Sequence, residues 1–214
     1  MNLTAPQTSA RGLAALRRLA EPRPVVERCE LCAAVVSEEH QHLTDPEKRR
    51  IVCCCDACAV LFDHSGRTQY RRVPRDIREL AGLEIDDGLW NSLGIPIGLV
   101  FFFRSSISKS VVAIYPSPGG PAETVVDPKL WEQITPLHWS LPGLGDDVEA
   151  LLANRVQGER AYFLVPIDEC YKLAGLVRQH WTGFSGGDRV WEELRTFFDR
   201  LRQRAIPERS RGHA

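Results

Sequence analysis

The chain has 214 residues, with 27 Lys+Arg against 28 Asp+Glu, 43% hydrophobic residues and 26% charged residues. These proportions suit one medium domain, or a small module plus a domain. They exclude a global basic field that would draw the whole molecule to nucleic acid or an anionic membrane. No apolar run approaches the roughly 18 residues that span a bilayer, so no membrane span is expected.

Residues 1–24 begin with small and polar side chains. Leu13, Leu16 and Leu19 then recur between arginines, the spacing of a short amphipathic helix that Pro22 and Pro24 end. Arg11, Arg17 and Arg18 break any apolar core, so the segment is not a secretory signal and reads as a flexible N-terminal arm. Residues 25–72 carry most of the cysteines. Ile51 and Val52 form a short strand there, and residues 59–62 an apolar strand or helix turn. Residues 71–83 read as a connector through Val73, Ile77 and Leu80.

A conventional domain follows, and residues 73–205 are assigned to it. Asp86 starts a helical turn through Trp90, which Gly94 ends. Residues 95–103 and 110–115 are β-rich runs joined by a polar turn, the pattern of an antiparallel hairpin. Residues 116–121 are a turn-rich break, and residues 124–126 a short strand. Asp127 and Pro128 are the cap and first residue of a helix through Ile134. Asp146 or Asp147 is expected to cap another helix, through Val148, Leu151 and Leu152. Residues 160–165 are a strand, and residues 166–180 a well-buried helix. A glycine loop, residues 183–187, precedes a final helix capped by Asp188, whose Val190, Leu194, Phe197, Phe198 and Leu201 share one face. Residues 206–214 are polar and expected to be disordered. The fold class is therefore α+β: a small zinc-ribbon or treble-clef-like module, then a domain with a mainly antiparallel sheet and helices on one face.

The strongest chemical signal is a pair of hooks, Cys29-Glu30-Leu31-Cys32 and Cys55-Asp56-Ala57-Cys58, with 22 residues between them. Two Cys-x-x-Cys turns at such a separation supply four thiolates to one tetrahedral ion, and Zn²⁺ is the metal expected. Cys53 and His42 are the substitute ligands. Cys54 points to the other side of a strand and reads as a small buried residue. His40 and His42 stand on one side of an extended segment, either as ligands or as polar loop residues. Arg28, Lys48, Arg49 and Arg50 are suited to neutralise a tetrathiolate. A closed four-cysteine zinc site has no open position and is not catalytic. The same ligands also accept iron or a [2Fe–2S] cluster, the alternative cofactor. Seven cysteines, three of them adjacent, point to a reducing cytoplasm.

The rest of the chain offers little catalysis. Cys170 reads as a structural thiol, and Asp168 and Glu169 as favourable charges at a helix start. His180-Trp181 with the following glycines reads as a helix end and turn, His138-Trp139 as a rigid surface loop. No Ser-His-Asp, paired-carboxylate or phosphoryl-transfer constellation stands out.

Several stretches together resemble an uncharacterised bacterial family encoded in [NiFe]-hydrogenase gene clusters. They are the two hooks, His40-Gln41-His42, Leu93-Gly94-Ile95-Pro96-Ile97-Gly98, the run from Phe101 to Ser106, Tyr115-Pro116-Ser117-Pro118, Leu164 to Tyr171, and His180-Trp181 with Ser185-Gly186-Gly187. The resemblance covers nearly all the chain after residue 25. It implies accessory work in hydrogenase maturation, assembly or electron transfer, with a hydrogenase subunit or maturation factor as protein partner. It brings no catalytic assignment. The functional expectation is a non-catalytic zinc-binding accessory protein acting through protein–protein contacts. The alternatives are an iron–thiolate or iron–sulfur electron-transfer protein and a zinc-ribbon nucleic-acid binder.

Overall fold

The computed structural model describes residues 26–63, 69–117, 120–183 and 186–207. The expected N-terminal arm, residues 208–214 of the expected tail, and parts of two glycine-containing turns lie outside the described residues. Among those described, no helix is long and apolar enough to cross a membrane.

Near the N-terminus, β1 (Gln41–Asp45) and β2 (Arg50–Cys54) form a hairpin, with β3 (Arg71–Arg72) on the other side of β1. The turn needs a left-handed residue, which is Arg49 at φ 49°. Asp45 Oδ1 steadies it by accepting from the Lys48 amide at 3.2 Å. Helix α1 (Asp56–Phe62) follows β2 directly. A small core of Cys29, Leu43, Val52, Cys54, Cys58 and Ala59 fills this module. Half of those six residues are cysteines, so apolar burial alone gives the module little stability.

The second sheet has six strands: β4 (Arg78–Glu79), β5 (Leu99–Ser105), β6 (Ser110–Ser117), β7 (Gly120–Val125), β8 (Glu149–Asn154) and β9 (Ala161–Pro166). Their order is β4-β9-β8-β5-β6-β7, and each recorded pairing is antiparallel. The fold is therefore α+β with antiparallel sheets.

Two sequence expectations fail here, for one reason. Residues 149–154 are strand β8 and not a helix, and helices cover both faces of the sheet. Every residue of β8 and β9 is buried, as are five of the first five in β5. A strand buried on both faces shows a continuous apolar run, which periodicity alone does not separate from a helix. Asp147, at φ 64°, turns the chain into β8 instead of capping a helix.

On one face lie α4 (Ile167–His180) and α5 (Gly187–Arg204), which pack Cys170, Leu173, Val177, Val190, Leu194 and Phe198 onto Leu99, Phe101, Phe103 and Phe163. On the other lie α2 (Asp87–Ser92) and α3 (Pro128–Ile134), with Trp90, Ile134, Leu141 and Leu144 against Val100, Phe102, Leu151 and Leu164. The expected caps form at Asp86, which accepts from the Leu89 amide, and Asp127, which accepts from the Lys129 amide. Helix α5 starts instead from Gly186, at φ 88°, and Asp188 sits inside its first turn.

The small module docks on the first helical face. Ile51 of β2 and Val73 join the core around α4. The Val73 amide donates to the His42 carbonyl at 3.0 Å, and Arg49 meets Glu123 of β7 at 2.6 Å.

Candidate metal centre

Each cysteine hook is built by backbone hydrogen bonds that depend on local sequence. In the first, the Cys29 amide donates to the Ala34 carbonyl and the Ala33 amide to the Cys29 carbonyl, both at 2.8 Å. Ala33 completes the turn at φ 62°, and Arg28 and Val35 close it as an isolated antiparallel bridge. In the second, Cys55 is the extended residue before α1 and Cys58 lies one turn into it. Residues three apart on a helix share a face, so both sulfurs project the same way. The second hook thus stands on a helix start and not on a hairpin strand.

Glu30 joins the hooks. Its amide donates to the Cys53 carbonyl at 2.9 Å, and its Oε1 accepts from the Cys53 amide at 2.7 Å. Arg50 holds the other oxygen at 3.2 Å. The first turn is thereby fixed against the end of β2, beside Cys55.

The Sγ atoms of Cys29, Cys32, Cys55 and Cys58 all lie within 4.8 Å of one another. Cys32 Sγ and Cys55 Sγ are 3.7 Å apart. Four sulfurs at 2.3 Å from one Zn²⁺ are separated by about 3.8 Å along each tetrahedral edge. A disulfide would need about 2.05 Å. The four residues therefore form a cluster able to hold a metal ion.

The thiols pull in opposite directions. Burial pushes Cys29 up, but the amides of Cys55, Leu31 and Cys32 outweigh it and bring the thiol down to about 6. Burial and its three sulfur neighbours push Cys58 far up. At Cys32 the Ala34 amide favours the thiolate, yet Cys29 and Cys55 leave the thiol above its ordinary value. Four thiolates cannot crowd together without positive charge at their centre, which a divalent cation would supply.

Cys53 and His42, the expected substitutes, are not grouped with this quartet. One ring nitrogen from each of His40 and His42 and the sulfur of Cys53 form a separate cluster, within 4.8 Å of one another. Cys54 is fully buried on the opposite side of β2, its Sγ 3.4 Å from the Gln41 carbonyl. Burial lifts its thiol to about 12.

The neighbouring cations are engaged with carboxylates and carbonyls. Lys48 lies 3.6 Å from Asp45, Arg49 binds both oxygens of Glu123, and Arg50 binds Glu30. Arg28 donates to the Ala33 carbonyl inside the first hook.

In the larger domain Cys170 is completely buried, which raises its thiol well above its ordinary value, with Asp168 and Glu169 adding to the shift. Asp168 does more than favour a helix start. Its Oδ2 accepts from His42 Nδ1 at 2.8 Å, across the contact between module and domain. Glu169, also buried, binds Lys172 at 3.0 Å and Arg204 at 2.9 Å. His138 is buried and meets the Ser140 hydroxyl at 2.8 Å, so it turns inward from the loop, while Trp139 beside it is exposed. The Trp181 indole donates to the Gly183 carbonyl, which makes that segment a helix end and turn. Sequence reading missed Asp168 as a partner of the module. No local signal in the sequence pointed to that pairing, which joins residues 126 positions apart.

A search of curated proteins and one of solved structures each returned no match. A family model does match, over residues 28–205, which includes both hooks, the histidine pair and the whole six-stranded sheet. The chain belongs to the family of unknown function DUF5947.

Proposed function

We propose that Cys29, Cys32, Cys55 and Cys58 hold one structural Zn²⁺, and that the protein is a non-catalytic accessory factor working through protein contacts. The separation of 3.7 Å between Cys32 and Cys55, close to a zinc–thiolate tetrahedral edge, carries the metal reading. A turn bearing the first hook, a hairpin, and a helix bearing the second support a treble-clef-like reading of the module. Zinc coordination supplies the folding energy that its six-residue core lacks.

The accessory role rests on the resemblance and on surface chemistry. The resemblance sets it among [NiFe]-hydrogenase maturation or assembly, in a reducing cytoplasm, with a hydrogenase subunit or maturation factor as partner. Val26, Val35, Val60 and Leu61 of the module are exposed apolar residues, suited to a protein partner. The nucleic-acid alternative is weakened by Lys48, Arg49 and Arg50, each of which already faces a carboxylate.

Metal analysis of full-length protein purified under reducing conditions tests the first part. One tightly held zinc in the cysteine centre, with no visible absorption, is expected. Iron with thiolate charge-transfer colour would replace this reading with the electron-transfer one. Affinity capture from the native host tests the second part. Recovery of a hydrogenase subunit or maturation factor is expected, and loss of that recovery when Val60 and Leu61 are changed to Ser. Capture without any such protein would sink the hydrogenase setting.

A further inference from the structure

The hairpin carries a second set of ligating side chains that the cysteine centre does not use. In the antiparallel register His42 of β1 lies opposite Cys53 of β2, so the two side chains leave the sheet on the same face. His40 lies two residues before His42, and the two rings meet edge to face with centroids 4.7 Å apart. One nitrogen of each ring and the Cys53 sulfur fall within 4.8 Å of one another.

Hydrogen bonds fix which nitrogens are free. His40 Nδ1 lies 2.8 Å from the Ser37 carbonyl oxygen. A carbonyl only accepts, so Nδ1 carries the proton and Nε2 presents a lone pair. The His40 side chain is only 7% exposed, and its Nε2 is buried with no hydrogen-bond partner among the described residues. Native structures seldom leave such an atom unsatisfied. His42 Nδ1 likewise donates to the Asp168 carboxylate at 2.8 Å, which leaves its Nε2 free. A carboxylate behind an imidazole is the usual support of a metal-binding histidine, since it sets the tautomer and makes the free nitrogen more basic.

We propose that His40 Nε2, His42 Nε2 and Cys53 Sγ bind a second metal ion, a borderline divalent transition metal of the Zn²⁺ class. Two imidazoles and one thiolate suit that class and do not suit Mg²⁺ or Ca²⁺. On binding, the Cys53 thiol releases its proton to solvent as the sulfur–metal bond forms, and nothing is oxidised or reduced. Tetrahedral bond lengths need ligand atoms about 3.5 Å apart, so the three groups close in from their present spacing when the metal binds. Three protein ligands leave a fourth position open. Both histidines line a polar cavity of about 320 Å³, with Arg75, Asp168, Lys172 and Arg204. Water from that cavity takes the fourth position. The site stands whichever metal the four cysteines hold, because the two ligand sets share no residue.

Titration of the reduced, full-length protein with Zn²⁺ against a chromophoric chelator tests this. Two equivalents are expected for the wild type, and one for His40→Gln and for Cys53→Ser. Asp168→Asn should weaken the second equivalent about 10-fold and leave the first unchanged. X-ray absorption of the doubly loaded protein should show nitrogen in the mean zinc shell, and His40→Gln should lower it. A wild type that saturates at one equivalent would overturn the proposal. So would a His40→Gln protein that still takes two, or a Cys53→Ser protein that loses its tighter equivalent, since Cys53 would then belong to the cysteine centre.

Discussion

His42 and Asp168 are 126 positions apart in sequence, and their side chains meet at 2.8 Å where the cysteine module rests on helix α4. Both are mostly buried, with side chains 17% and 13% exposed. Burial pushes the Asp168 carboxyl up, but the hydrogen bond from His42 and the charge of Lys172 hold it below its ordinary value overall. Asp168→Ala would take away the acceptor of the His42 Nδ1–H. A buried donor without its acceptor costs about 1–3 kcal/mol. The loss should appear in denaturant unfolding and as faster hydrogen exchange along β1 and β2. Unchanged exchange in the hairpin would show that other contacts suffice to seat the module, such as Ile51 in the α4 core and the Tyr171 hydroxyl, which donates to the Arg49 carbonyl at 3.4 Å.

If the cysteine centre holds a metal as proposed, removing it should unfold the module before the larger domain. Its core has six residues, three of them cysteines. The six-stranded sheet is covered by two apolar clusters of its own. Structural zinc contributes about 10 kcal/mol or more of apparent binding energy at neutral pH in small zinc modules. A strong chelator, or Cys58→Ser, should therefore remove exchange protection from residues 29–62 while β5, β8 and β9 stay protected. Limited proteolysis should then cut within the module first. Retention of module protection in metal-free protein would mean that the hairpin folds without its ion.

The covering of both sheet faces predicts the cost of core truncation. Phe102 and Phe163 are both fully buried, yet they belong to opposite clusters. Phe102 packs near Trp131, and Phe163 lies against Phe198 with ring centroids 5.9 Å apart. If only one face were covered, one of these truncations would be mild. With both covered, Phe102→Ala and Phe163→Ala should each cost about 3–5 kcal/mol in urea unfolding.

These two phenylalanines also show where sequence reading succeeds and where it stops. The hairpin β5–β6 is legible because apolar runs flank a polar turn, and the hooks are legible because metal ligation demands short, fixed spacing. The antiparallel α+β class follows from those local signals. Residues 149–154 are misread as a helix because Glu149, Ala150, Leu151, Leu152, Ala153 and Asn154 carry no period-2 alternation, and a strand enclosed on both sides needs none. The link between His42 and Asp168 leaves no local trace at all. It arises only when one face of the β1–β2 hairpin meets the start of α4, a tertiary event that spacing does not encode.

Gly98, just before β5, should tolerate no side chain. A Cβ built there would sit 2.5 Å from the Arg155 carbonyl oxygen and 2.7 Å from its carbon. Both atoms are backbone, so the contact cannot be relieved by a rotamer change. Arg155 is also held in place, with its guanidinium 4.6 Å from the Trp90 ring centre and bonded to Asp87. Gly98→Ala must therefore push β5 away from the loop after β8, at a cost of about 1–3 kcal/mol. The mirror case is Gly82, where nothing lies within 4 Å of the added atom. Gly82→Ala should be near neutral in the same thermal melt. Equal melting temperatures for the two variants would show that the approach of residue 98 to residue 155 is looser than the backbone positions indicate.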